Sequence, residues 1–142
     1  MNGYFYVVNT LKDYLKATPF VNTITIGDIF AVDLTKQTIF PLNHIIVNTA
    51  TLGEVTMTMN ISILFMDLVD DSKADNEQDV LNSTLAQAQR LSTELMRGSL
   101  YSSQVVVMSE PTAEPFTDRF ENKIAGWTLT FDVIVPNDMS IC

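Results

Sequence analysis

Six carboxylates fall within the thirteen residues from Asp67 to Asp79, in the stretch "MDLVDDSKADNEQDVLNSTLAQAQRL". Acidic side chains at that density could hold a divalent cation through their oxygens, or pair as general acid and base. A calcium loop needs oxygen ligands at alternate positions, glycine at the sixth and a bidentate glutamate at the twelfth. Counting from Asp71 puts Lys73 third and Asn76 sixth, and counting from Asp67 puts Val69 third. Neither frame fits. The other role is positional: Leu81, Leu85, Ala88, Leu91 and Leu95 follow at helical spacing, so Asp75, Glu77 and Asp79 fall at a helix N-terminus. Negative charge is favoured there by the macrodipole, and Asp or Asn side chains can accept from free backbone N–H groups. Arg97-Gly98 supplies a basic last turn and a C-terminal cap. The cluster is read as a cap and a solvated loop.

Other candidate chemistry is thinner. His44 is the sole histidine, with apolar neighbours on its C-terminal side, and Cys142 is the sole cysteine. No zinc site or His-based triad can be assembled from those two, and His44 is expected to be structural. The carboxylates of "DIFAVDL" and "EPFTDRFENK" could in principle pair, but acids in loops are commonplace. No dinucleotide fingerprint, phosphate loop, nucleophile elbow or C-x-x-C pair occurs. The expectation is a protein without catalytic residues, metal or cofactor.

The elements that would position any site are readable in the spacing. Tyr4, Val7, Val8, Leu11, Tyr14 and Leu15 make one face of a helix that Thr18-Pro19 ends. "NTITIGDIFAVDL" reads as two short β runs around a Gly27-Asp28 hairpin turn, and "TIFPLNHIIVN" as a strand with Pro41 near its start or on an edge. In "EVTMTMNISILFM", Val55, Met57, Met59, Ile61, Ile63 and Phe65 alternate with Glu54, Thr56, Thr58, Asn60 and Ser62. In "KIAGWTLTFDVIV", Ala125, Trp127, Leu129, Phe131, Val133 and Val135 alternate with Gly126, Thr128, Thr130 and Asp132. "SQVVVM" adds a shorter strand, while 110–122 reads as a polar loop. The methionines and Trp127 are expected in the core. Half-polar strands favour antiparallel pairing with one face covered by helices, an α+β fold.

Composition sets the outer bounds. The 142 residues suit one domain, 1–142, with a core that needs neither metal nor disulfide. Asp and Glu number 17 against 8 Lys and Arg, a net charge of −9 that disfavours tight nucleic-acid binding and anionic membranes. Neither a basic, apolar leader nor a membrane-length apolar run is present, so the chain is expected to be soluble and unsecreted, and its lone cysteine fits synthesis in a cytoplasm.

The order helix, hairpin, long strand, acidic-capped helix, short strand and closing strand resembles the tail terminators, or tail-completion proteins, of tailed bacteriophages. The stretches that carry the resemblance are "NEQDVLNSTLAQAQRLSTEL" and "DRFENKIAGWTLTFDVIVPNDMSIC", with a strand opening on "AGW" to close the sheet. It implies a virion protein of the head–tail junction, assembled in the host cytoplasm as a homo-oligomeric ring, a hexamer. Its partners would be itself, the tail tube protein and the neck or connector proteins, with DNA passing the lumen without specific binding and no membrane involved. Such families lack catalytic residues. The free edges of strands 54–66 and 123–135 are expected to pair between subunits. A neighbouring neck ring, a small ligand-binding module with an apolar pocket between helix and sheet, and an enzyme using the Asp67–Asp79 carboxylates remain the alternatives.

Overall fold

Two long strands form the spine of the molecule. β3 (Thr56–Leu68) and β6 (Ile124–Pro136) run antiparallel over their whole lengths, from Thr56 opposite Pro136 to Leu68 opposite Ile124. The computed structural model describes residues 3–17, 23–27, 40–69, 76–97, 106–107, 110–117 and 124–136. Around the spine stand α1 (Gly3–Lys16), β1 (Thr23–Ile26), β2 (Leu42–Leu52), α2 (Asn76–Arg97), β4 (Val106–Val107) and β5 (Thr112–Thr117). The strands form one six-stranded sheet in the order β1-β2-β3-β6-β4, with β5 also on β6. β4 and β5 lie end to end along the edge of β6 that β3 leaves open.

The fold is α+β, with a mostly antiparallel sheet and both helices on one face. That face is the alternating set read in the sequence. Met59, Ile61, Ile63 and Phe65 of β3 and Leu129, Phe131, Val133 and Val135 of β6 are buried against Val7, Leu11 and Leu15 of α1 and Ala88, Leu91 and Leu95 of α2. Burying each large side chain contributes on the order of 1.5–3 kcal/mol. The core stripe of α2 is rotated from the expected one at its start: Val80 and Thr84 are buried, whereas Leu81 and Leu85 are half-buried. Thr84 tolerates that position because its hydroxyl donates to the Val80 carbonyl at 2.7 Å, leaving no polar group unpaired.

Several expectations are corrected. β1 pairs with β2 in parallel, Thr23 opposite Leu42 and Ile26 opposite Ile45. Gly27 does turn the chain, at φ +106°, but the second run of the expected hairpin lies outside the described residues. Pro41 stands just before β2, after a cis Phe40-Pro41 bond. The 110–122 segment is not simply a loop, because Thr112–Thr117 is a strand on β6. Among the described residues β3 and β6 are both interior strands: β3 lies between β2 and β6, and β6 between β3 and the β4–β5 row. That row pairs with β6 residues 125–130 and 133–134, so the outer edges belong to β1 and to the row itself. The second sheet face is also not uniformly open. Phe40, Leu42, Leu64, Met66, Phe116 and Ile124 form a smaller buried cluster at one end of it.

Candidate functional site

Of the six carboxylates that first suggested chemistry, the structure describes three. Asp67 belongs to the end of β3, where its Oδ1 accepts from the Leu68 N–H at 2.8 Å and burial pushes its carboxyl above the usual value. Glu77 and Asp79 stand in the first turn of α2, where the helix dipole favours them. Asp70, Asp71 and Asp75, and with them the expected cap, lie outside the described residues, as do Gly98 and Cys142. Among the described residues no three His, Cys, Asp or Glu side chains converge as metal ligands.

His44 is held rather than free to react. Its ring is fully buried, with Nδ1 2.5 Å from the Thr25 hydroxyl and Nε2 2.7 Å from the Gly27 carbonyl. In the neutral ring Nε2 donates to that carbonyl and Nδ1 accepts from the hydroxyl. The imidazole thus fastens β1 and its turn to β2, a structural task that needs both ring nitrogens.

Trp127 is half-buried, and its indole Nε1 donates to the Leu81 carbonyl at 2.9 Å, pinning α2 to β6. Gly126, beside it, has a definite cause. A Cβ there would come 1.8 Å from the Phe65 carbonyl oxygen, so only glycine lets the two strands approach so closely.

The open face of the sheet carries the most extended polar constellation. The β2–β3 register slips between Val47 and Thr49, leaving Asn48 as an extra residue. Such a bulge re-aims a side chain, and the Asn48 amide donates to Asn60 Oδ1 at 2.9 Å and to Ser62 Oγ at 2.8 Å. The ladder continues across β3 to β6: Asn60 Nδ2 donates to Asp132 Oδ1 at 2.9 Å, and Ser62 Oγ lies 3.1 Å from Thr130 Oγ1. This row joins three strands through neutral amides and hydroxyls and a single carboxylate. It offers a hydrogen-bonding surface, with neither an activated nucleophile nor a base aimed at one.

The bulge also shifts the phase of β2, so Ala50 and Leu52 lie opposite Met59 and Met57 on the helix-side face. Residues 48–56 of this hairpin are all exposed. Leu52 and Val55, beside Gly53 in its tip, are 74% and 76% exposed. The tip is closed by the Gly53 N–H donating to the Thr56 carbonyl at 2.9 Å. The alternation groups Val55 with Met57, Met59 and Ile61 on one face, but it cannot register where the helices that cover that face stop.

Together these features define an α+β domain with a polar-laddered sheet face, two sheet edges and a projecting apolar tip. No family model matches the chain, and no curated protein matches it. No helix among the described residues is long and apolar enough to cross a membrane.

Proposed function

We propose that this chain is a structural virion protein of a tailed bacteriophage, a subunit of a closed ring at the head–tail junction that caps the tail tube and docks it to the neck. The observation that carries the reading is the β2–β3 hairpin, whose tip holds Leu52 and Val55 away from the core. Exposed apolar side chains on a hydrogen-bonded arm suit a contact with another subunit. Among the described residues nothing pairs with the outer edges of β1 or β5, and such edges can join subunits by strand addition. Contacts of this head-to-tail kind close into rings when the rotation between subunits permits.

The whole-chain resemblance to tail terminators supports the same reading and supplies its partners: further copies of the chain as a hexamer, the tail tube protein and the neck proteins. A net charge of −9 suits a lumen through which DNA slides without adhering. The working surfaces would be the tip and the edges, with no catalytic residue and no cofactor. Electron microscopy of particles assembled without this protein tests the role. Unjoined heads and tails, or tails of uncontrolled length, are the expected result, and joined infectious particles would refute it.

A further inference from the structure

Between the two helices and the sheet lies a cavity of about 280 Å³ that the ring reading does not use. It is lined by Tyr14 and Leu15 of α1, Asn43 of β2, Phe65 of β3, and Ser83, Ala86, Gln87 and Arg90 of α2. Two of these residues end in buried polar atoms, Asn43 Oδ1 and the Tyr14 hydroxyl, that meet no hydrogen-bond partner among the described residues. Asn43 is only 1% exposed. A buried acceptor left unpaired is costly, and a native fold rarely carries two beside one cavity without a reason.

We propose that this cavity binds a small, flat, mainly apolar molecule bearing one hydrogen-bond donor, a phenol or an N–H heteroaromatic, with its donor on Asn43 Oδ1. The size fits, because a cavity of about 150 Å³ lined by apolar side chains already accepts a benzene ring. Leu15, Phe65, Ala86 and the Tyr14 ring supply apolar walls, while the exposed Arg90 stands at the mouth. Burial, reinforced by the Glu94 carboxylate, pushes the Tyr14 phenol above its usual value, with the Arg90 guanidinium opposing. The guanidinium comes close enough to the hydroxyl to favour its ionised form but completes no hydrogen bond of good geometry with it, so Asn43 Oδ1 is the acceptor a guest would meet first. The inference stands independently of the ring reading.

Indole and indene separate the donor from the shape, since they are nearly isosteric and only indole has an N–H. Each is titrated into the ¹⁵N-labelled full chain and followed by amide shifts. Saturable shifts centred on Tyr14, Leu15, Asn43 and Phe65 are expected, with indole bound about fivefold more tightly than indene, as one neutral hydrogen bond implies. Asn43→Leu removes the preference but not the binding. Ala86→Trp, at an exposed helix position that should not disturb folding, blocks both probes. Equal affinity of the two probes for the unaltered chain, or no saturable shift from either at millimolar concentration, overturns the proposal.

Discussion

The two ends of the β3–β6 ladder are built from the same strands and the same alternation, yet they differ in almost every physical respect. At one end, Phe65, Met66, Ile124 and Ala125 are buried, with α-helices over one face and Phe40 and Phe116 over the other. At the other end β3 runs into a hairpin that projects past the helices and exposes Leu52 and Val55. Alternation therefore decides which side chains share a face, whereas distant elements decide whether that face is covered. The covered end can tolerate very little change, and the open end is free to make contacts with something else.

Gly126→Ala should break the covered end most severely. The added Cβ meets backbone, the Phe65 carbonyl at 1.8 Å, rather than a side chain that could swing away. A loss of more than about 4 kcal/mol in urea unfolding is expected, the scale reserved for overpacking or buried-group defects. A loss below about 1 kcal/mol would mean that the strands can separate there at little cost.

Leu129→Ala tests the middle of the ladder, where Leu129 lies opposite Ile63 and is 2% exposed. It should cost about 3 kcal/mol, a usual value for emptying a packed leucine site. An unchanged midpoint would reverse the assignment of inside and outside.

How much of this was legible follows the same division. β3 and β6 were readable because an apolar residue stands at nearly every second position, and Trp127, Leu129 and Phe131 share a face as their spacing requires. β5 was not readable. In "TAEPFT" the apolar Ala113 and Phe116 fall on opposite faces, and Pro115 looks like a breaker. On an edge strand proline is tolerated, and only the pairing with β6 reveals the strand. The bulge at Asn48 hid the phase of β2, since Asn43, Ile45 and Val47 share a face with Ala50 and Leu52 only after an extra residue. The rotation of α2 onto Val80 and Thr84 depends on a side chain bonding its own helix, which spacing does not record. The open-face ladder was visible as polar residues, though not as bonded partners. A pocket between helix and sheet was foreseen only as an alternative, and its lining was not legible because Tyr14, Asn43 and Arg90 come from three separate segments.

A smaller effect sharpens the electrostatics of the covered end. Burial raises the Asp67 carboxyl above its ordinary value, with the Leu68 N–H opposing. The native state then keeps its proton to a higher pH than the unfolded chain, so stability falls as pH rises from the ordinary value through the raised one. Asp67→Asn, which preserves an oxygen for Leu68, should therefore melt higher than the parent near pH 7. The difference should disappear near pH 3, where both forms are neutral. A variant that melts lower at neutral pH would show that the ionised carboxylate is favourably held.

The open end should show the smallest change in stability and the largest in behaviour. Leu52→Ser combined with Val55→Ser should leave the subunit's unfolding free energy within about 0.5 kcal/mol, as surface substitutions do. Native mass spectrometry of the purified chain beside this double variant tests the proposed ring most directly. The parent should give a single closed oligomer, six copies, that grows in with concentration, and the variant should remain a monomer. A parent chain that stays monomeric at every concentration, or a variant that assembles equally well, would contradict the assignment of the hairpin tip as a subunit contact.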